Sequence, residues 1–151
     1  MSSAMGLLAM REHSQWELQR KLIDKGFALE TVEQVLTGLM ERGLQSDNRY
    51  AELYVRQRME KGMGPVRIAM ELRQRGVSDY LVRKYLAQDV TSWSIVLSLA
   101  WQKKYRSRPP GNTQEYAKQV RFLLHRGFES AEVHRFLRSQ SSQISYDNTE
   151  Q

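Results

Sequence analysis

The fold is decided by AMELRQRGVSDYLVRKYL, residues 69–86, because two other parts of the chain repeat its pattern. The related stretches are ELQRKLIDKGFALETVEQVL at 17–36 and KQVRFLLHRGFESAEVHRFL at 118–137, at offsets of 50 and 51 residues. Five positions stay in constant register: a Leu, a Gly, an apolar residue after the Gly, a Val and a closing Leu. Copy by copy they are Leu22, Gly26, Phe27, Val32 and Leu36; Leu72, Gly76, Val77, Val82 and Leu86; Leu123, Gly127, Phe128, Val133 and Leu137. Such self-similarity is typical of tandem structural modules.

Each copy predicts a helix, a glycine turn and a second helix. Apolar residues recur at helical spacing before the Gly. The Gly is suited to a left-handed residue that ends a helix, and the apolar residue after it is expected to pack back on the last turn. Ser78 and Ser130 are predicted N-caps of the following helices, whereas Ala28 leaves the first copy without one.

A further helix is predicted before each copy, in MSSAMGLLAMREH, SDNRYAELYVRQRMEKG and TSWSIVLSLAWQKKYR. No stretch alternates with the period of a strand, so we predict an all-α fold. Its three tandem three-helix repeats, helix-turn-helix-like, are expected to form an elongated, curved molecule. The predicted repeats are 1–42 (with a shortened first helix), 43–90 and 91–138. The Ser- and Gln-rich tail 139–151 is predicted to be disordered.

Positive charge is concentrated in two blocks. The 151 residues carry net charge +6, with a pI near 9.7. Residues 56–84 are net +5 and residues 101–138 net +6, while residues 1–55 are net −2. This distribution favours an anionic polymer as the partner of the second and third repeats.

The residue types needed for common catalytic and metal sites are scarce. The chain has no Cys and three His, and it lacks HExxH, GxxxxGK[ST] and GxGxxG motifs. We therefore predict no metal, no cofactor and no enzyme activity, and the histidines are interpreted as polar residues on helix surfaces. No apolar run is long enough to span a membrane, and the N-terminus is a poor signal peptide.

Basic and aromatic side chains are interleaved on the predicted helices of the second and third repeats. The candidate DNA-binding residues are Arg56, Arg58, Lys61, Arg67, Arg73, Arg75, Lys84, Lys103, Lys104, Arg121 and Arg126. Such side chains reach phosphates and give sequence-independent affinity. Four tyrosines at helical spacing are interpreted mainly as core residues rather than base-stacking residues. They are Tyr50, Tyr54, Tyr80 and Tyr85.

The stretch GLQSDNRYAELYVRQRMEKGMGPVRIAMELRQRGVS at 43–78 resembles the RecX family of RecA regulators. It is similar to a family pattern with a G-L/Y-x-x-D-x-R-[FY]-A start, an R-x-R-x-x-K-G-x-G-P-x-R-I centre and an E-L-x-x-[KR]-G-[IV] end. REHSQWELQRKL at 11–22 and KQVRFLLHRGF at 118–128 resemble two further family motifs. The likeness covers roughly residues 7–138, with Ser46 where the family often has an acidic residue.

The resemblance implies a cytoplasmic regulator that binds single- and double-stranded DNA and the RecA filament. It also implies inhibition of RecA ATPase, strand-exchange and coprotease activities, usually within the SOS response. A monomer is expected. The mildly acidic N-terminal part of the chain is the better candidate for contact with a protein partner. The candidate partner residues are Arg11, Glu17, Lys21, Asp47 and Arg49.

Two alternatives are open at this stage. A transcription factor with one helix-turn-helix predicts a dimer and a specific DNA site. A protein-only helical adaptor predicts negligible DNA affinity even at low salt.

Overall fold

The structure, a computed structural model, describes residues 1–87 and 90–147. Within these residues the chain forms nine α-helices and no strand. The helices are α1 (Ser2–Met10), α2 (Gln15–Asp24), α3 (Leu29–Glu41), α4 (Asp47–Glu60), α5 (Pro65–Gln74), α6 (Asp79–Leu86), α7 (Val90–Tyr105), α8 (Thr113–His125) and α9 (Ser130–Asp147). The predicted all-α fold is confirmed, and so is the short first helix: α1 has 9 residues against 14 in α4 and 16 in α7.

The three repeated glycines end α2, α5 and α8 in the same way. Their φ angles are +99°, +75° and +100° for Gly26, Gly76 and Gly127. In each turn the amide after the Gly donates to the aligned Leu carbonyl five residues back, as from Val77 to Leu72 at 3.1 Å. These are Schellman caps, as the repeat predicts. The residue after the Gly is buried in the second and third copies, whereas Phe27 in the first is 44% exposed.

The helix starts follow the predicted caps in two of three copies. The Ser78 hydroxyl accepts a hydrogen bond from the Leu81 amide, and Ala28 makes no side-chain cap. The prediction for Ser130 is wrong, because Ser130 is the first residue of α9 and Glu129 lies at the cap position. Sequence patterns locate such ends only to within a residue or two.

The chain divides into two compact units. Unit 1 comprises Met1–Arg56 and Met70–Ala87, and unit 2 comprises Gln57–Ala69 with the described residues after 89. Both α4 and α5 cross from one unit to the other, so the second repeat belongs to both. The core of α1, α2 and α3 in unit 1 consists of Ala4, Leu18, Leu22, Val32, Leu36 and Leu39. The core of unit 2 consists of Leu97, Ala100, Trp101, Leu123, Phe128, Val133 and Leu137.

Helix α9 extends further than the sequence predicts. It continues through Asp147, whereas the composition predicts a disordered tail from residue 139; residues 148–151 lie outside the described part. Two serine hydroxyls donate to carbonyls of the preceding turn, Ser139 to Phe136 at 2.8 Å and Ser141 to Leu137 at 3.2 Å. These bonds satisfy the serine hydroxyls within the helix itself. A Ser-rich composition alone does not indicate that such bonds form. The repeat boundaries themselves stay a prediction.

Successive repeats meet within unit 1 at a contact that we call junction 1, formed by Ser14, Trp16, Arg75 and Gly76. The buried Ser14 hydroxyl donates to the Arg75 carbonyl at 2.9 Å. Trp16 packs on the glycine turn, where a Cβ at Gly76 would lie 2.6 Å from the Trp16 Cβ. Junction 1 therefore joins the α1–α2 loop to the turn after α5.

The equivalent contact within unit 2, junction 2, is formed by Gly64, Val66, Arg126 and Gly127. The Gly64 amide donates to the Arg126 carbonyl at 2.8 Å, and the Val66 amide donates to the Gly127 carbonyl at 2.9 Å. A Cβ at Gly64 would overlap the Gly127 carbonyl oxygen. Junction 2 thus joins the α4–α5 loop to the turn after α8 by direct backbone pairing.

Candidate nucleic-acid interface

Four predicted DNA-binding cations converge on one depression in unit 2, which we call the cationic groove. Its cationic side chains are Lys61, Lys103, Lys104 and Arg126, and it has a volume of about 360 Å³. The rest of its lining is Met59, Glu60, Gly62, Val96, Leu99 and Ala100. The groove therefore combines an aliphatic floor with an excess of positive charge.

Local packing fixes two of the four cations of the groove, Arg126 and Lys104. Arg126 caps α8 in the glycine turn, and its guanidinium donates to the Lys61 carbonyl at 3.1 Å. The guanidinium of Arg126 and the ammonium of Lys104 lie 5.1 and 5.7 Å from the ring centre of Phe122. Phe122 packs edge-to-face on Tyr105 at 5.6 Å. Cation–π contacts of this kind hold charge at a surface without neutralising it.

A second basic depression in unit 2, of about 410 Å³, follows the C-terminus of α7. It is lined by Lys104, Tyr105, Arg106, Arg108, Pro109, Glu115, Lys118 and Gln119. Arg106 and Ser107 have φ angles of +52° and +62°, in the left-handed region that few non-glycine residues adopt. Arg121 does not line either depression and lies in a third one with Lys118 and Glu115.

Intramolecular contacts are made by six of the remaining predicted cations: Arg56, Arg58, Arg67, Arg73, Arg75 and Lys84. Arg56 pairs with Glu52 at 3.4 Å, Arg73 with Asp79 at 2.9 Å, and Lys84 donates to Asn48 at 3.2 Å. Arg75 and Arg67 donate to the carbonyls of Glu71 and His125. Exposed contacts of this kind contribute little stability. Arg56, Arg73 and Lys84 are exposed and lie within reach of an anion, whereas Arg67 and Arg75 are half-buried. Arg58 lies in the last turn of α4.

The five residues predicted to contact a protein partner all have intramolecular bonds in unit 1. Arg11 and Glu17 form a salt bridge at 2.9 Å, and the Lys21 ammonium donates to His13 Nε2 at 2.8 Å. The Asp47 carboxylate accepts from the Gln15 amide at 2.8 Å. Arg49 donates to Glu12 and to the carbonyls of Gly43 and Leu44. The family-like motif at 11–22 therefore builds a polar network, and its contact with a partner stays a prediction.

His13 is buried at the centre of this network, so its interpretation as a helix-surface histidine is wrong. Its Nε2 accepts from Lys21, and its Nδ1 lies 3.0 Å from the Arg11 carbonyl, which requires the Nδ1–H tautomer. Burial lowers the pKa of His13, and the neighbouring Arg11 and Lys21 charges lower it further. The neutral imidazole is therefore part of the folded state.

Burial would raise the pKa of the Glu17 carboxyl, but hydrogen bonds from Arg11 and the Ser14 amide outweigh it, and the pKa is lowered. Burial and the Glu17 charge raise the pKa of Tyr50. Glu17 also completes a capping box with Ser14 at the start of α2. The S-x-x-E spacing of Ser14 and Glu17 is typical of a capping box, and this cap could have been predicted from the sequence but was not.

The interpretation of the four tyrosines as core residues is confirmed for Tyr50 and wrong for Tyr80. Tyr50 is 4% exposed, while Tyr80 on α6 is 73% exposed. Tyr54 and Tyr85 are half-buried, with hydroxyls that donate to Glu71 at 2.6 Å and Asn48 at 2.7 Å.

Within residues 1–87 and 90–147, no three His, Asp or Glu side chains are grouped to hold a metal ion. No helix in this part of the chain is long and apolar enough to cross a membrane.

Family models match each third of the chain. The models described as the first, second and third three-helix domains of RecX match residues 1–39, 46–86 and 97–137. The chain belongs to the RecX family. Its relatives include the regulatory protein RecX of Halorhodospira halophila, 40% identical over 131 residues, which are 87% of this chain and 81% of the relative. RecX of Pseudomonas putida is 42% identical over 135 residues, 89% of this chain and 86% of the relative.

The fold agrees with a solved RecX structure. The crystal structure of RecX from Lactobacillus salivarius superposes with a TM-score of 0.75 at 20% identity, and 93% of each chain is covered. The family models and this likeness confirm the three-helix modules that the repeat predicts.

Proposed function

We propose that the protein regulates RecA by binding the RecA–DNA filament and inhibiting its ATPase, strand-exchange and coprotease activities. Membership of a family of regulatory proteins supports a regulatory role, and the family resemblance at 43–78 points to RecA as the target. The mechanism is steric and electrostatic, without a catalytic step. We propose that the protein acts as a monomer in the cytoplasm.

The cationic groove is the observation that carries the DNA part of this proposal. Lys61, Lys103, Lys104 and Arg126 come from three segments of the chain and converge on one depression. Cations that share one site neutralise adjacent phosphates and release their counterions. Affinity should therefore fall steeply as salt rises, whatever the base sequence, and a protein-only adaptor would lack this dependence.

The central test is a titration of RecA ATPase on single-stranded DNA with the purified protein. We expect inhibition at stoichiometric amounts, and unchanged ATPase activity would contradict the RecA proposal.

The DNA part is tested with the double variant Lys103→Glu/Lys104→Glu. Both side chains are exposed in the last turn of α7, so the fold should persist. We expect weaker DNA binding, with the magnitude of the salt slope reduced by about 1 for each phosphate that the variant no longer neutralises.

The matched control is Lys25→Glu/Arg42→Glu, in unit 1. Lys25 and Arg42 are also exposed residues at helix C-termini, at the ends of α2 and α3, so the control changes net charge equally in a similar setting. Equal losses of DNA binding in the two variants would assign the effect to overall charge and overturn the role of the groove.

A further inference from the structure

The aromatic ring of Tyr80 lies exposed on α6 beside two cations. Tyr80 is 73% exposed, and Arg83 and Lys84 follow it by three and four residues, also exposed. Residues at these spacings are neighbours on one face of a helix. We call Tyr80, Arg83 and Lys84 the α6 face; all of it belongs to unit 1.

The α6 face differs from the equivalent faces of the other two repeats. The register of the glycine turns aligns it with Glu30, Glu33 and Gln34 on α3, and with Ala131, His134 and Arg135 on α9. The α3 face is acidic and without an aromatic ring. On α9, His134 is half-buried and its Nδ1 lies 2.6 Å from the Tyr116 hydroxyl. Of these three faces, α6 alone combines an exposed aromatic ring with two cations.

Neighbouring contacts favour an anionic ligand at the α6 face. The Asp79 carboxylate precedes Tyr80, but it is paired with the Arg73 guanidinium at 2.9 Å. This pair lowers the repulsion that Asp79 would exert on a phosphate. The Lys84 ammonium is held 3.2 Å from the Asn48 amide oxygen and 5.2 Å from the Tyr85 ring centre.

We propose that the α6 face binds single-stranded nucleic acid, with a base stacked on the Tyr80 ring and the flanking phosphates contacted by Arg83 and Lys84. Sequence-tolerant sites for single strands combine aromatic platforms with backbone-tracking cations in this way. The ring would be unused in a paired duplex, where bases are already stacked. The inference rests on the proposed function, because both take DNA as a ligand. It adds a base-stacking residue, Tyr80, and a preference for single strands, neither of which the cationic groove provides.

The test measures fluorescence anisotropy of a labelled oligothymidine and of an abasic oligonucleotide with the same length and phosphate number. The full chain is compared with Tyr80→Ala and Tyr80→Phe. Loss of one stacked base corresponds to about a 5- to 150-fold weaker Kd. We therefore expect Tyr80→Ala to weaken oligothymidine binding by at least about 5-fold and to leave abasic binding unchanged. Tyr80→Phe keeps the ring and should keep the affinity.

Arg83→Ala supplies the complementary measurement, because a phosphate contact does not depend on the base. It should weaken binding of both oligonucleotides and reduce the magnitude of the salt slope by about 0.7, the value for one phosphate contact on a single strand. Because Tyr80 and Arg83 are exposed, the melting temperatures of the variants should match that of the parent protein.

The proposal is overturned if Tyr80→Ala leaves oligothymidine affinity unchanged or weakens both oligonucleotides equally. It is also overturned if Tyr80→Ala weakens binding to RecA in the absence of DNA and spares the oligonucleotide, which would make the α6 face a protein contact. Failure of the proposed function is distinguishable, because it appears as unchanged RecA ATPase with the parent protein. Stacking at Tyr80 is judged from the two oligonucleotides alone.

Discussion

Junction 1 and junction 2 bring the same repeat positions together but differ in the atoms that meet. Ser14 and Gly64 are 50 residues apart in sequence, and Arg75 and Arg126 are 51 apart, which are the offsets of the repeat. At junction 1 a side-chain hydroxyl reaches the carbonyl before the glycine turn. At junction 2 the corresponding donor is a backbone amide.

Because of this difference, the two junctions should respond differently to substitution at the same repeat position. Direct backbone pairing leaves no room for a Cβ at either glycine of junction 2, so that contact depends on backbone geometry. Junction 1 depends on the buried Ser14 hydroxyl, and a buried polar group has to be hydrogen-bonded to be tolerated. The glycine turns of both junctions are close-packed, since Gly76 also lacks room for a Cβ. The junctions differ at the donor position, where substitution should act through sterics at Gly64 and through polar satisfaction at Ser14.

The largest expected effect is that of Gly127→Ala at junction 2. The new Cβ would overlap the Arg67 Cβ and lie 2.7 Å from the Arg67 amide nitrogen, at a residue with φ of +100°. The left-handed conformation costs about 1–2 kcal/mol with a side chain, and overpacking costs about 1–3 kcal/mol more. We expect urea unfolding to give a free energy of unfolding about 2–5 kcal/mol lower than in the parent protein.

The control for this prediction is Gly26→Ala, at the same cap position in the first copy. Gly26 has nearly the same φ, +99°, and no atom lies within 4 Å of the position that its Cβ would take. Only the conformational cost of about 1–2 kcal/mol should appear. If the two variants lose equal stability, the close approach at junction 2 makes no contribution of its own.

An intermediate effect is expected for Ser14→Ala at junction 1. Ser14 is fully buried, and the substitution removes its cap to the Glu17 amide and leaves the Arg75 carbonyl without its donor. The two losses together should lower the free energy of unfolding by about 1–3 kcal/mol. Ser78→Ala is the comparison, because Ser78 is exposed and caps only the Leu81 amide; it should cost about 1 kcal/mol or less. Equal losses in a denaturant titration would show that the bond across junction 1 adds nothing to the cap.

Much of the fold follows from local sequence signals. The aligned glycines and leucines predict the helix–turn–helix units, since a left-handed cap has a strong residue preference. The Ser14–Arg75 bond spans 61 residues and is not a local signal. The bond can be predicted only when the 50-residue offset of the repeat is applied to the loops as well as to the helices.

The candidate site was predictable in composition but not in arrangement. The sequence identifies the basic side chains, yet helical spacing does not say that Lys61 and Lys103 share a groove while Arg73 pairs with Asp79. The exposure of Tyr80 was missed for a related reason. Periodicity groups residues on a face of a helix, but it does not show whether that face meets another helix or solvent.

The smallest expected effect is a dependence of the free energy of unfolding on pH. It distinguishes the two junctions, because only junction 1 has a histidine beside its donor residue. His13 lies next to Ser14 in junction 1, and its counterpart beside junction 2 is Met63, which does not titrate. Since the folded-state pKa of His13 is lowered, the unfolded chain binds the proton more readily. Stability is therefore complete above the unfolded value near 6.5 and is lost as the pH falls from there through the folded pKa.

The measurement is urea unfolding between about pH 7.5 and pH 5.5, with the parent protein and His13→Gln compared at each pH. One group changes the free energy of unfolding by at most about 1.4 kcal/mol per pH unit. We expect the parent protein to lose more stability on acidification than His13→Gln does, because His125 and His134 are common to both and cancel in the difference. Parallel pH profiles would mean that protonated His13 is accommodated beside Lys21, and junction 1 would then be no more sensitive to pH than junction 2.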